Sequence, residues 1–155
     1  MHPAWQYDEL RQVGVDFENA AQVAAYDAKQ GSDPEAERAL IARLAIPSRA
    51  VVVDLGCGTA SFARAAARHG AVVHAFDVSQ AMLDYARDKA RAEGLAGIEF
   101  HRAGFLRFSP GEESIDVVVY GDATAKRSIL VTQALPAAVP LALVYHAHTS
   151  IVSPS

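Results

Sequence analysis

The feature that most constrains the fold is the run Val51-Val52-Val53-Asp54-Leu55-Gly56-Cys57-Gly58-Thr59-Ala60-Ser61. Three consecutive β-branched apolar residues suit a strand buried on both faces, as in a parallel sheet. Gly56 and Gly58 then let backbone approach a bound group, because no Cβ intervenes. Helical sequence follows, and the free N–H groups at a helix start favour an anionic group. Strand, glycine turn and helix in this order predict an open α/β sheet, whose ligands bind at the carboxyl ends of strands where strand order switches.

The flanking sequence continues the pattern. Val72 to Phe76, Ile98 to His101 and Ile115 to Tyr120 read as further strands. Residues 61 to 69 read as a helix closed by Gly70, and Ser79 caps a helix that carries Met82, Leu83, Ala86 and Ala90 inward before Gly94. This βαβαβ order predicts a doubly wound, mostly parallel sheet with right-handed crossovers. Two helices precede it. Residues 16 to 30 carry Phe17, Ala20, Ala21, Ala24 and Ala28 at helical spacing, and Asp33-Pro34 with Glu35 and Glu37 starts a second helix, with Ala36, Leu40 and Leu44 on one face and Pro47 beyond it.

At 155 residues, with 51% hydrophobic and 21% charged residues, the chain reads as one folded domain able to bury a core. Within it, 1–47 are N-terminal helices, 48–122 a ligand-binding core and 123–155 an atypical segment holding only two charged residues, Lys126 and Arg127, and three prolines. In that segment a short helix between Ser128 and Leu135 and a strand at Leu141 to His146 are the expected elements. The net charge of −4 gives no encouragement to a nucleic-acid or anionic-membrane partner. No basic start with an apolar run opens the chain and no apolar stretch nears the roughly 20 residues of a membrane helix, so a cytoplasmic location is expected.

Chemistry narrows the ligand. The dinucleotide fingerprint wants glycine or alanine at its third fixed position, where this chain has Ser61. Asp54, two residues before Gly56, would repel a pyrophosphate and attract an ammonium or sulfonium group. Asp77, 77 − 56 = 21 positions past the first glycine, ends the second strand, where an acid accepts from ribose hydroxyls in doubly wound nucleoside sites. Val78 and Met82 are placed to flank an adenine, and the Ala103-Gly104-Phe105 turn to expose backbone to its edge.

Val-Asp-Leu-Gly-Cys-Gly-Thr (53–59) together with Ala-Phe-Asp-Val-Ser-Gln-Ala-Met-Leu (75–83) resembles the class I S-adenosylmethionine-dependent methyltransferases, especially the quinone-biosynthesis-like small-molecule group, over roughly residues 20 to 120. The resemblance implies S-adenosylmethionine as cofactor, a small-molecule acceptor, and cofactor contacts at Asp54, Gly56, Gly58 and Asp77, with Cys57, Thr59, Val78 and Met82 close by. It also implies that the helix around Tyr26 lids the cofactor. The chain departs from the family pattern at Gly104, where many members carry an acid, and after the fourth strand, where the length leaves little room for the family's antiparallel edge strands. A cofactor-binding protein that lacks turnover, self-associating through an exposed strand edge, is therefore the alternative expectation; a nucleotide-dependent oxidoreductase is a third, opposed by Asp54.

Duller roles compete for several residues. Asp77 alone could serve as a helix cap, Tyr26 as packing, and Cys57 as a turn filler with no neighbour in sequence to activate it. His146 and His148 would share a strand face as zinc ligands can, but no third ligand is evident, so no metal site is expected. His101 and Tyr120 are candidate bases only by their place near strand ends.

Overall fold

The computed structural model describes residue 10 and residues 17–30, 33–105, 107, 115–121, 127–132 and 142–146. The elements are α1 (Ala20–Gln30), α2 (Pro34–Arg43), β1 (Val51–Leu55), α3 (Ser61–Arg68), β2 (Val72–Asp77), α4 (Gln80–Ala92), β3 (Ile98–Arg102), β4 (Val117–Gly121), β5 (Arg127–Thr132) and β6 (Ala142–His146). The strands form one sheet in the order β3-β2-β1-β4-β5-β6. β3, β2, β1 and β4 run parallel, and β5 and β6 continue the sheet antiparallel. The order reverses direction between β1 and β4, so the crevice expected of such a sheet opens at the carboxyl ends of those two strands. The doubly wound, mostly parallel α/β architecture with N-terminal helices is thus the one read from the sequence.

Residues 127–132 correct the expected helix at Ser128 to Leu135: they form a strand, Val118 pairing with Leu130 and Tyr120 with Ser128. Ile129, Val131 and Thr132 are β-branched and fit a pleated strand better than a helix. β6 is the strand expected at Leu141 to His146, and with β5 it corrects the expectation that the length leaves little room for antiparallel edge strands. Residues 1–9, 133–141 and 147–155, His148 among them, lie outside the described residues.

The two faces of the sheet differ. Val52, Val73, Ala75, Val117 and Val119 pack against Phe62, Ala63 and Ala66 of α3 and Ala86 of α4. Val53, Leu55 and Phe76 occupy the opposite face with Val118 and Tyr120. Alanines at 63, 66 and 86 let both helices lie close to the strands. Among the described residues, no helix is long and apolar enough to cross a membrane.

The helix starts are chemically specified. Asp33 accepts from the Glu35 and Ala36 N–H groups and Ser79 from Met82. Asn19 does the same for α1 through Ala21, so α1 begins four residues later than the alanine pattern suggested. Its inward residues are Val23, Tyr26 and Asp27, at i, i+3 and i+4, while Ala20, Ala21, Ala24 and Ala28 face solvent. α2 turns Glu37 and Ile41 inward and leaves Ala36 exposed; Glu37 accepts from the Ser61 hydroxyl at 2.9 Å.

Buried Arg64 of α3 pairs with Glu93 at the end of α4, and Arg68 grips the other Glu93 oxygen. Removing Glu93 leaves the Arg64 charge buried without its counter-ion. Glu93→Ala is expected to cost about 2–3 kcal/mol, below the usual range for a wholly buried pair because Glu93 is partly solvated. Urea denaturation checks it, and Arg68→Ala, at an exposed position, should cost under about 1 kcal/mol.

Candidate functional site

The site is built where β1, β2 and β3 end together. Parallel register sets Leu55 beside Phe76 and Asp77 beside Arg102. Past β1 the chain turns through Gly56 (φ 68°), Gly58 (φ 55°) and Ala60 (φ 58°), three alternate left-handed residues. The Cys57 N–H donates to the Phe76 carbonyl at 2.9 Å and the Ala103 N–H to the Asp77 carbonyl at 3.1 Å. Ala60 was not legible as part of this turn. An alanine carries no signal for a left-handed conformation, which costs it about 1–2 kcal/mol relative to glycine.

Asp77 joins the pieces. One carboxylate oxygen accepts from the Gly58 N–H at 2.8 Å and the other from the Ser79 N–H at 2.9 Å. Burial pushes its carboxyl above the usual carboxylate range, while the N–H groups of Ser79, Gly58 and Val78 pull the other way. Asp77 is therefore a clamp between glycine loop and α4 start; the cap of α4 is Ser79. Asp54, 4% exposed, is interior to the sheet between Ala75 and Val119.

Burial, with Asp77 and Asp54 adding to it, pushes the half-buried Cys57 thiol well up. The thiol stays protonated at neutral pH, which suits a turn filler and not a nucleophile.

The N-terminal segment crosses this site. A Cβ added to Gly58 would stand 4.0 Å from Tyr26 Cε1, so the Tyr26 ring covers the second glycine. Phe17 meets Tyr26 edge-on at 5.4 Å, its carbonyl accepts from the Ser79 hydroxyl at 2.7 Å, and Glu18 accepts from the Gln80 N–H at 3.1 Å. Asp27 bonds Lys89 and the Tyr85 hydroxyl of α4, and Thr59 of the glycine loop. Burial raises the Asp27 carboxyl, but those donors outweigh it and hold it below its ordinary value. The partners of Glu18 and Asp27 and Ser79's link to Phe17 are not legible in the sequence, because contacts some 60 residues apart leave no local pattern.

The remaining predicted residues divide. Val78 is half-buried and its carbonyl accepts from Arg102 Nε at 3.1 Å, whereas Met82 is 4% exposed and chiefly core. Gly104 follows Ala103 at the β2 tip. Phe105, 57% exposed, meets Tyr120 edge-on at 6.2 Å, bringing the β3 and β4 ends together. His101 lies on Phe76, ring centroids 4.6 Å apart, and burial with neighbouring His74 holds its pKa below the ordinary value. Side-chain positions of His146 and His148 lie outside the described residues.

A family model for the methyltransferase domain matches residues 52–135, more than half of the chain. Comparison of the sequence with curated proteins gives no match. Among solved structures, a Methanococcus maripaludis protein assigned to the S-adenosylmethionine-dependent methyltransferases superposes with a TM-score of 0.60 at 17% identity, over 77% of this chain and 55% of that one. A SAM-dependent methyltransferase from Aquifex aeolicus does so at 0.54 and 18% identity, over 66% and 56%. Coclaurine N-methyltransferase, bound to N-methylheliamine and SAH, gives 0.51 and 23% identity, over 56% and 26%. At these identities the likeness is one of fold. The chain spans about half the length of the first two structures and about a quarter of the third.

The Asp27 tether generates a pH prediction. A carboxyl whose folded pKa is depressed stabilises above its unfolded value, about 3.9, and loses that contribution as pH falls through the folded value. Docking of α1 should therefore be intact at neutral pH and weaken only below about pH 4. At pH 7, Asp27→Asn should lower α1 amide-exchange protection roughly tenfold, about 1.4 kcal/mol, with β1 and β2 protection unchanged. Equal loss in all three would show that Asp27 supports the whole fold instead.

Proposed function

Because this chain belongs to the methyltransferase domain family, we propose that it binds S-adenosylmethionine over the glycine loop and passes the methyl group to a small-molecule acceptor. The observation that carries this reading is the Asp77 clamp, which sets an acidic strand tip beside a glycine turn whose Gly56 is exposed.

The residues fit the ligand's parts. A carboxylate offers roughly four lone-pair sites, and the bonds to Gly58 and Ser79 leave Asp77 capacity for ribose hydroxyls. Gly56, exposed and without a side chain, and Gly58 admit the amino-acid portion, with Asp54 supplying negative potential and Cys57 and Thr59 the turn between. Val78 and Met82 border the adenine side, and the Gly104-Phe105 turn offers backbone and an exposed ring. Tyr26 closes the loop from above. When bound, the donor supplies a methyl group already activated by the sulfonium charge. What these residues contribute is orientation and exclusion of water, effects able to lower a barrier by several kcal/mol. His101 and Tyr120 remain the candidates to take a proton from an acceptor.

Calorimetry tests the reading. S-adenosylmethionine and its demethylated product should bind and NADH should not. Asp77→Ala should weaken binding at least about tenfold, the loss of one or more charge-assisted hydrogen bonds. Asp77→Asn, which keeps the shape, should fall between. NADH binding without S-adenosylmethionine binding would overturn the proposal. A methyl-transfer screen over phenols, quinone precursors and small amines tests the second half; tight cofactor binding with no turnover on any would favour a cofactor-binding protein over an enzyme.

A further inference from the structure

On the sheet face opposite α3 and α4, the outer strands bring together a second group of side chains. Side chains alternate along a strand, and the register sets His74 beside Glu99 and Phe76 beside His101. His74, Glu99 and His101 therefore share one face, while Val73, Ala75, Ile98 and Phe100 point into the helix-covered core. His74 is 6% exposed, and both imidazoles stack on their neighbours, His101 on Phe76 and on His74.

The three donor atoms converge. His74 Nδ1 lies 3.4 Å from His101 Nε2 and 3.5 Å from a Glu99 oxygen, and that oxygen lies 3.7 Å from His101 Nε2. These separations exceed the usual hydrogen-bond range of about 2.7–3.2 Å. Two of them match, and the third exceeds by about 0.1 Å, the spacing of ligand atoms around one ion. With metal–nitrogen and metal–oxygen bonds of about 2.0–2.2 Å at tetrahedral angles, neighbouring ligand atoms stand about 3.3–3.6 Å apart.

We propose that His74, Glu99 and His101 bind a divalent transition-metal ion of the zinc type, joining the edge strand β3 to β2. Two imidazoles and a carboxylate suit zinc, cobalt or nickel better than calcium or magnesium, which prefer oxygen. Three protein ligands leave a fourth position for water. The site is on the sheet face and shares no residue with the glycine loop; an ion there would occupy His101 Nε2 and leave Tyr120 as the candidate base of the proposed methyl transfer, whereas cofactor binding does not depend on it. The sequence reading missed it because the ligands fall on two strands 25 residues apart, as the pair His74–Glu99, with only the spacing Glu99-x-His101 visible locally.

The test uses the full chain stripped with chelator and titrated with Co2+ and Zn2+. One equivalent of Co2+ should give the intense visible absorption of a four-coordinate ion, and Zn2+ should displace it. At a hundredfold excess over Kd, Zn2+ should raise Tm by roughly 5 °C or more. His101→Ala and Glu99→Gln, both at partly exposed positions, should each weaken Co2+ at least tenfold while keeping a native circular-dichroism spectrum. His148→Ala should not. Unchanged Co2+ affinity in His101→Ala, or no binding up to about 1 mM ion, would overturn the proposal.

Discussion

One carboxylate holds the candidate site in shape. Asp77 spans the gap between the turn after β1 and the start of α4 by taking an N–H from each. Neither contact belongs to a helix or sheet ladder; they add to the turn's own bonds, Cys57 N–H to the Phe76 carbonyl and Ala60 N–H to the Cys57 carbonyl, and tie it to α4. Glycine-rich backbone is entropically costly to order. A buried charge that accepts several N–H bonds is a fitting counterweight, since such bonds are stronger than neutral ones. The site's rigidity is thus electrostatic at its centre, although the strands beneath it are packed mostly through apolar side chains.

The same division runs through the N-terminal helix. α1 buries little apolar surface beyond Val23, and it is held chiefly by polar links from Asp27, Glu18 and the Phe17 carbonyl. α2 differs, with Ile41 in the main core and Glu37 bonded to α3. A helix with a small apolar footing and directional polar ties can detach while the sheet stays intact, which suits an element lying across a binding turn.

What could be read beforehand follows from the range of the forces. Val51 to Ser61 announced strand, turn and helix because each residue type is selected by local backbone geometry. The caps Asp33 and Ser79 were legible for the same reason. β5 was misread because its identity is set by pairing with β4, a tertiary choice that overrides a short ambiguous run. The alanine stripe of α1 pointed the wrong way because alanine favours helices on any face. Asp77 was recognised by position, but its grip on Gly58 was not, since nothing in the sequence says which N–H a strand-end acid will meet. The cluster of His74, Glu99 and His101 depends on a register between two strands, which no single segment encodes.

The Asp27 tether also orders events during synthesis. α1 has 11 residues, and helices of that length are marginal alone in water. Its fastening points, Tyr85 and Lys89, follow Asp27 by 58 and 62 residues. Synthesis therefore completes α1 well before its partners on α4 exist, and a helix of that length has little stability of its own until they do. An early-made helix thus depends for its ties on a helix made some 60 residues later.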